Sequence, residues 1–244
     1  MAERHRIQES EMIYAHIVSE LYLHKARDCS RVLAICDCSQ KAGGQKVSEV
    51  LAERFAQIGV KTLLICADPC AVSAGSEQNR PGFSDYILQE VPLEQIISKS
   101  AGLQSYDVIQ FGESGIRQTE RLVCSPKVEQ LLKAARDAYE MVLLHTPSLT
   151  AYASGKMICQ TADAVLLVAA ADITQKAQLA WAKEQMDELK IPIEGIVAAQ
   201  AKRTLLEQFV RRFDQQRSNI WGKKYGQRRK KKNAGPQKNQ ATPV

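Results

Sequence analysis

The chain has 244 residues, 45% of them apolar and 25% charged, with a formal net charge of +6. That length and balance suit one sizeable α/β domain with a full core and exclude a fibrous or wholly disordered chain. No run nears the roughly 18 apolar residues of a membrane span, and the opening MAERHRIQESE holds no signal-peptide core. Seven cysteines, an odd number in a chain too large to need disulfide staples, fit a reducing compartment. The expected location is the cytoplasm.

In chain order, Glu9 to His24 carries Met12, Ile13, Ile17, Leu21 and Leu23 at helical spacing. Arg31 to Cys36, RVLAIC, reads as a strand. Val47 to Ile58 reads as an amphipathic helix closed by Gly59. Lys61 to Ala67 is the next strand. The glycine- and proline-bearing stretch from Ala71 to Gly82 is a loop. Ser84 to Glu90 and Pro92 to Ser98 read as helices split at Val91-Pro92, and Tyr106 to Phe111 as a strand. Ser125 to Tyr139 is a helix, Met141 to His145 a strand, Ser154 to Thr161 a helix and Ala164 to Ala169 a strand. Thr174 to Leu189 is a helix, Gly195 to Ala198 a last core strand, and Leu205 to Arg212 a final helix. Continuous apolar strands alternating with helices predict a parallel sheet buried on both faces, with ligands at the strands' carboxyl ends.

The charge is uneven. Residues 221–244 hold eight Lys/Arg and no Asp/Glu, so subtracting eight from +6 leaves −2 for the first 220 residues. The expected organisation is an N-terminal helical segment at 1–30, an α/β domain at 31–220 and a disordered basic tail at 221–244. The tail is a solubilising segment or a contact for an anionic membrane; nucleic acid is a further reading of the same charge.

The segment VLAICDCSQKAGGQKVSEVLAERFAQIGVKTLLICADP has the form of strand, glycine loop, helix and strand that cradles phosphates. With PGFSDYILQEVPLEQII (Pro81 to Ile97), YEMVLLHTPS (Tyr139 to Ser148) and TADAVLLVAAADIT (Thr161 to Thr174), it resembles the tyrosine-kinase domains of bacterial capsule and exopolysaccharide export. These sit within the MinD/ParA-like P-loop ATPases. The resemblance covers about Glu11 to Gln200. It implies a three-layer α/β/α fold, and, for an intact member, ATP and Mg²⁺ as cofactors and a membrane-embedded polysaccharide co-polymerase as partner.

The departures bear on activity. Aligned back from Asp68, the lysine that contacts the β/γ-phosphates falls at Gly44 and the Mg²⁺-binding hydroxyl at Gln45, with Gly43 keeping the tight loop. Lys41 and Lys46 are nearby but out of register, and Ser39 opens the loop. Of the two aspartates that end the second strand in relatives, the first is Cys66 and only Asp68 remains. The Walker B aspartate is His145, and the adenine-closing asparagine falls near Ala199. Ser39, Lys41, Gly43, Gly44, Gln45, Lys46, Asp68 and His145 are therefore the positions of a degenerate nucleotide site. Thiol and imidazole are poor Mg²⁺ ligands, and phosphoryl transfer rests on positioned charge and metal. In the helix that builds rings in relatives, Glu11 matches the glutamate but Tyr14 and Ile17 replace arginines; the tail has one tyrosine, Tyr225.

The expected function is that of a pseudokinase, a regulatory or scaffolding component of exopolysaccharide or capsule biosynthesis with no catalytic residues and no bound cofactor. It would sit in the cytoplasm at the inner membrane beside its co-polymerase partner. The alternatives are an active ATP- and Mg²⁺-dependent kinase or ATPase using Lys41 or Lys46, and a ParA/MinD-like positioning protein bound to nucleic acid or membrane. Cys36, Cys38, Cys66, Cys70 and His145 all fall at strand ends. Soft ligands suit zinc, but the spacing is not a zinc signature. The expectation is no metal, with reduced thiols packed at the old phosphate site.

Overall fold

The computed structural model describes residues 11–23, 32–70, 80–100, 105–113 and 119–199. The expected final helix at Leu205 to Arg212, the basic tail and most of the Ala71 to Gly82 loop lie outside the described residues. Fourteen elements follow an N-terminal helix, α1 (11–23). They are β1 (Val32–Asp37), α2 (Gly44–Gln57), β2 (Thr62–Cys66), α3 (Phe83–Gln89), α4 (Leu93–Ile96), β3 (Ile97–Lys99) and β4 (Asp107–Ile109). There follow α5 (Thr119–Val123), α6 (Pro126–Ala138), β5 (Met141–Thr146), α7 (Ala153–Cys159), β6 (Ala164–Ala170), α8 (Lys176–Glu188) and β7 (Ile193–Ala199).

The strands form one sheet in the order β3-β4-β2-β5-β1-β6-β7. Every pairing is parallel except β3 with β4. The chain expected as helix to Ser98 leaves the helical path at Ile97, because Ile97–Lys99 gains ladder hydrogen bonds along Asp107–Ile109 as an antiparallel edge. The short helix α5 was not expected from the sequence.

Strands β1, β2, β5 and β6 are buried at every position, which is why they read as unbroken apolar runs rather than alternating ones. One face is covered by α1 and α2, where Val47, Leu51, Ala52 and Phe55 pack on Leu33, Ile35, Leu64 and Leu143. The opposite face carries α3 to α8, packed on Val32, Ala34, Ile65, Val142 and Val165. This is the α/β/α sandwich of the MinD/ParA-like P-loop fold. Helix ends follow local chemistry. Gly59, at φ 82°, ends the turn after α2, and Ser125 caps α6 by accepting from the Lys127 N–H at 3.3 Å, with Pro126 in its first turn.

The Pro81–Asp85 segment is a clasp. Asp85 accepts from the backbone N–H groups of Gly82 (2.8 Å) and Glu113 (3.1 Å). Phe83 and Ser84 donate to the Gln110 and Phe111 carbonyls. A Cβ on Gly82 or Gly112 would collide with this backbone. The segment thus ties the start of α3 to the end of β4. No helix among the described residues is long and apolar enough to cross a membrane.

Candidate functional site

The carboxyl ends of β1, β2 and β5 open on one edge of the sheet, where ligands bind in folds of this kind. Between β1 and α2 runs the glycine loop. Its chain turns through two left-handed residues, Lys41 (φ 61°) and Gly43 (φ 103°). The loop is pinned on one side by Ser39, whose hydroxyl lies 2.6 Å from that of Thr174; Thr174 in turn accepts from the Ala170 N–H. The end of β7 closes on the loop as well, and a Cβ on Gly43 would touch that of Ala199 at 3.4 Å.

Helix α2 begins at Gly44, three residues earlier than expected, because a carboxylate caps it from the strand. Asp37, the last residue of β1, accepts the Gly44 N–H at 2.7 Å, and the Gly43 N–H also favours its charged form. Asp37 is 7% exposed. Burial, with the charge of Asp68 adding to it, pushes its carboxyl up to about 7 against the pull of those N–H groups. Gly44 has no room for a side chain: a Cβ there would overlap the Asp37 carboxylate. The space beside Gly44 is filled by the Asp37 carboxylate.

The other expected residues divide. Gly43, Gly44 and Asp68 gather around Asp37. Asp68 accepts from the Cys70 N–H at 2.9 Å, and burial raises its pKa against that bond. Lys41 and Lys46 are exposed. The Gln45 amide donates along its own helix to Glu49 at 3.1 Å. His145 lies deeper, register-paired with Ile35 and Cys66 and 1% exposed. Neither of its ring nitrogens has a hydrogen-bond partner, and burial lowers its pKa to about 4, so the ring is neutral at physiological pH. Burial raises the neighbouring Cys66 thiol to about 12, with Glu49 and Asp68 adding to it.

The strand-end cysteines do not converge. Strand alternation sends Cys66 to the α2 face, while Cys36 and Cys38 pack with Cys159 and Leu149 on the opposite face. The expectation that all these thiols fill the phosphate site is therefore corrected: the sheet itself separates them. Cys70 is exposed. Among the described residues no group of three or more His, Cys, Asp or Glu side chains could hold a metal ion. Glu11 pairs with Arg54 of α2 at 3.2 Å, and Tyr14 and Ile17 pack on the core. Asp37 is the residue sequence reasoning missed. Its signal was an acid ending a buried strand seven residues before a glycine that starts a helix.

No family model matches the chain. It is 33% identical over 150 residues to the tyrosine-protein kinase YwqD of Bacillus subtilis, covering 60% of this chain and 62% of YwqD. Its homologues are bacterial tyrosine-protein kinases. The Escherichia coli kinase Etk is 25% identical over 171 residues, 69% of this chain and 23% of Etk. The chain thus spans less than two thirds of either relative. The solved Etk kinase domain superposes with a TM-score of 0.66 at 25% identity, covering 74% of this chain and 73% of that domain. The cell-division ATPase MinD of Pyrococcus furiosus shares the fold at a TM-score of 0.57 and 16% identity, covering 69% and 71%.

Proposed function

We propose that this chain keeps the tyrosine-kinase fold of capsule and exopolysaccharide systems but has lost phosphoryl transfer, and acts as a regulatory or scaffolding component. The observation that carries this reading is the Asp37 carboxylate on the Gly44 N–H, in the space a catalytic lysine would need. Phosphoryl transfer needs positive charge and metal at that point; a buried acid supplies neither, and its ionised form repels the phosphates. A neutral His145 and a protonated Cys66 in place of aspartates leave Mg²⁺ with Asp68 alone from the usual set. A rearranged loop has less to rest on, since Lys41 and Lys46 are exposed.

The named relatives are kinases, so the reading is one of retained surfaces and lost chemistry. Its partner would be a membrane-embedded polysaccharide co-polymerase, reached from the cytoplasm, with the basic residues 221–244 adding an anionic-lipid contact worth about 1 kcal/mol per Lys or Arg near the surface. No bound nucleotide is required for that role.

The test is genetic and biochemical together. In the native host, deleting the gene should reduce polymer output or shift its chain length. A Lys41→Ala/Lys46→Ala chain should restore the wild-type phenotype, and purified protein should yield no phosphotyrosine from ATP. Loss of complementation in that double variant, together with ATP-dependent phosphotyrosine in the wild type, would establish an active kinase instead.

A further inference from the structure

We infer that the outward face of helix α1 is a membrane-contact surface, seated on the headgroup layer of an anionic bilayer. This rests on the proposed placement at the membrane and deepens it, adding an apolar contact to the basic residues 221–244.

A surface helix of a globular domain has one apolar stripe for the core and a charged face for water. Helix α1 has the first without the second. Its inner stripe, Tyr14, Ile17, Val18 and Leu21, packs on the core. On the opposite side, at the 3.6-residue period, Met12, His16, Ser19 and Leu23 form one line, all of them exposed. Met12 is 73% exposed and Leu23 53%, with Ile13 and Tyr22 exposed on either flank. Four of the seven large apolar side chains exposed among the described residues thus sit on this one helix. Ser19 turns its hydroxyl back on the helix, donating to the Ala15 carbonyl at 2.9 Å. The two acids of α1 stand off the line: Glu11 pairs with Arg54 at 3.2 Å, and Glu20 is half-buried. Clustered exposed apolar side chains of this kind mark a contact with a protein or a membrane.

Charge selects between the two. Leu23 is followed by His24, Lys25 and Arg27. Residues 24–31 hold three Lys/Arg against one acid, Asp28, residues 221–244 hold eight against none, and the whole chain stands at +6. A second copy would bring the same positive excess to the contact, and like charges repel. A nucleic-acid backbone would take the cations but leave Met12 and Leu23 in water. An anionic bilayer answers both features. Its headgroups attract Lys and Arg, and the acyl boundary beneath them accepts apolar side chains. A tyrosine such as Tyr22 suits the same boundary. One weak apolar contact attaches a protein only marginally, whereas an apolar contact combined with a basic segment holds it.

The test is vesicle co-sedimentation of the full chain. The wild type should bind vesicles of equal parts phosphatidylglycerol and phosphatidylcholine at least about tenfold more tightly than pure phosphatidylcholine. Met12→Ser/Leu23→Ser should lose about tenfold on the anionic vesicles and keep the wild-type salt dependence. Lys25→Gln/Arg27→Gln should also weaken binding, and with a shallower salt dependence. Circular dichroism checks that each variant is folded; if the serine variant is not, Met12→Gln/Leu23→Gln decides by the same readout. A folded serine variant that binds anionic vesicles as the wild type does overturns the α1 contact, while the membrane placement stands on the basic residues. A wild type that ignores anionic vesicles overturns both. A wild-type dimer in light scattering that the serine variant dissociates, with vesicle binding unchanged, overturns the contact in favour of a second copy. Failure of the lost-kinase reading looks different: it is phosphotyrosine made from ATP.

Discussion

Gly44→Ala is expected to destabilise the protein by about 2–4 kcal/mol, the reverse of what helix propensity predicts. In an ordinary helical position, glycine to alanine stabilises by roughly 1 kcal/mol. Gly44 has ordinary backbone angles, so propensity would apply if the space were open. It is not: the new Cβ would stand against Oδ1, Cγ and Oδ2 of Asp37. Asp37 would have to swing out of its bond to the Gly44 N–H, leaving a buried carboxylate and a helix-start donor unpaired. Each such orphan costs about 1–3 kcal/mol, more when charged. In an Asp37→Ser background the clash is gone, and Gly44→Ala should recover its ordinary sign. The double-mutant cycle, read from urea unfolding, should therefore give a coupling at or above the usual upper range of about 3 kcal/mol. Additive effects of the two substitutions would show that Asp37 and Gly44 are not one device.

The second large effect is hidden in the wild type. Asp37 is raised from 3.8 to about 7, so the folded state binds more protons than the unfolded between those values. Stability from this group is full below about pH 4 and falls as pH rises towards 7. The shift corresponds to about 4 kcal/mol, and Asp68, also raised by burial, acts in the same direction. His145 is lowered from 6.5 to about 4. Its neutral folded form contributes fully above pH 6.5 and is lost as pH falls to about 4, a change of about 3 kcal/mol. The two slopes oppose each other in one window, so the wild-type profile between pH 4.5 and 6.5 should be shallow. Asp37→Asn should become more stable as pH rises through that window. His145→Leu, which also removes two unpartnered nitrogens, should become less stable. Urea midpoints for the three proteins at half-unit steps test this; parallel profiles would mean that neither group titrates as its burial requires.

These two effects mark the boundary of what the sequence made legible. The strand–loop–helix–strand unit from Leu33 to Pro69 was readable because β1 from Val32 to Cys36 and β2 from Leu63 to Cys66 are apolar runs and α2 has its apolar residues at helical spacing. The start of α2 was not, since Gly43-Gly44 reads as loop by composition and its cap comes from Asp37, across the loop. The antiparallel β3 was hidden for a related reason. Ile96-Ile97 continues a helical apolar pattern, and only antiparallel pairing with Asp107–Ile109 makes Ile97–Lys99 a strand. Of the residues expected at a degenerate nucleotide site, the structure places Gly44 and Asp68 beside Asp37 and buries His145 deeper, in register with Ile35 and Cys66. What occupies the site was misjudged, because Cys36-Asp37-Cys38 drew attention to sulfur. Strand parity alone sends Asp37 to the α2 face and both cysteines to the other.

The central claim is that a carboxylate occupies the phosphate position and that the chain therefore does not use ATP. Calorimetric titration of Mg-ATP into the full-length protein at neutral pH tests it most directly. The account predicts no saturable heat at nucleotide concentrations on the order of 100 μM, the upper reach of ordinary enzyme substrate affinities being about 1 mM, and no phosphate release on prolonged incubation. Saturable micromolar binding that is abolished by Lys41→Ala or Lys46→Ala, with turnover, would contradict it.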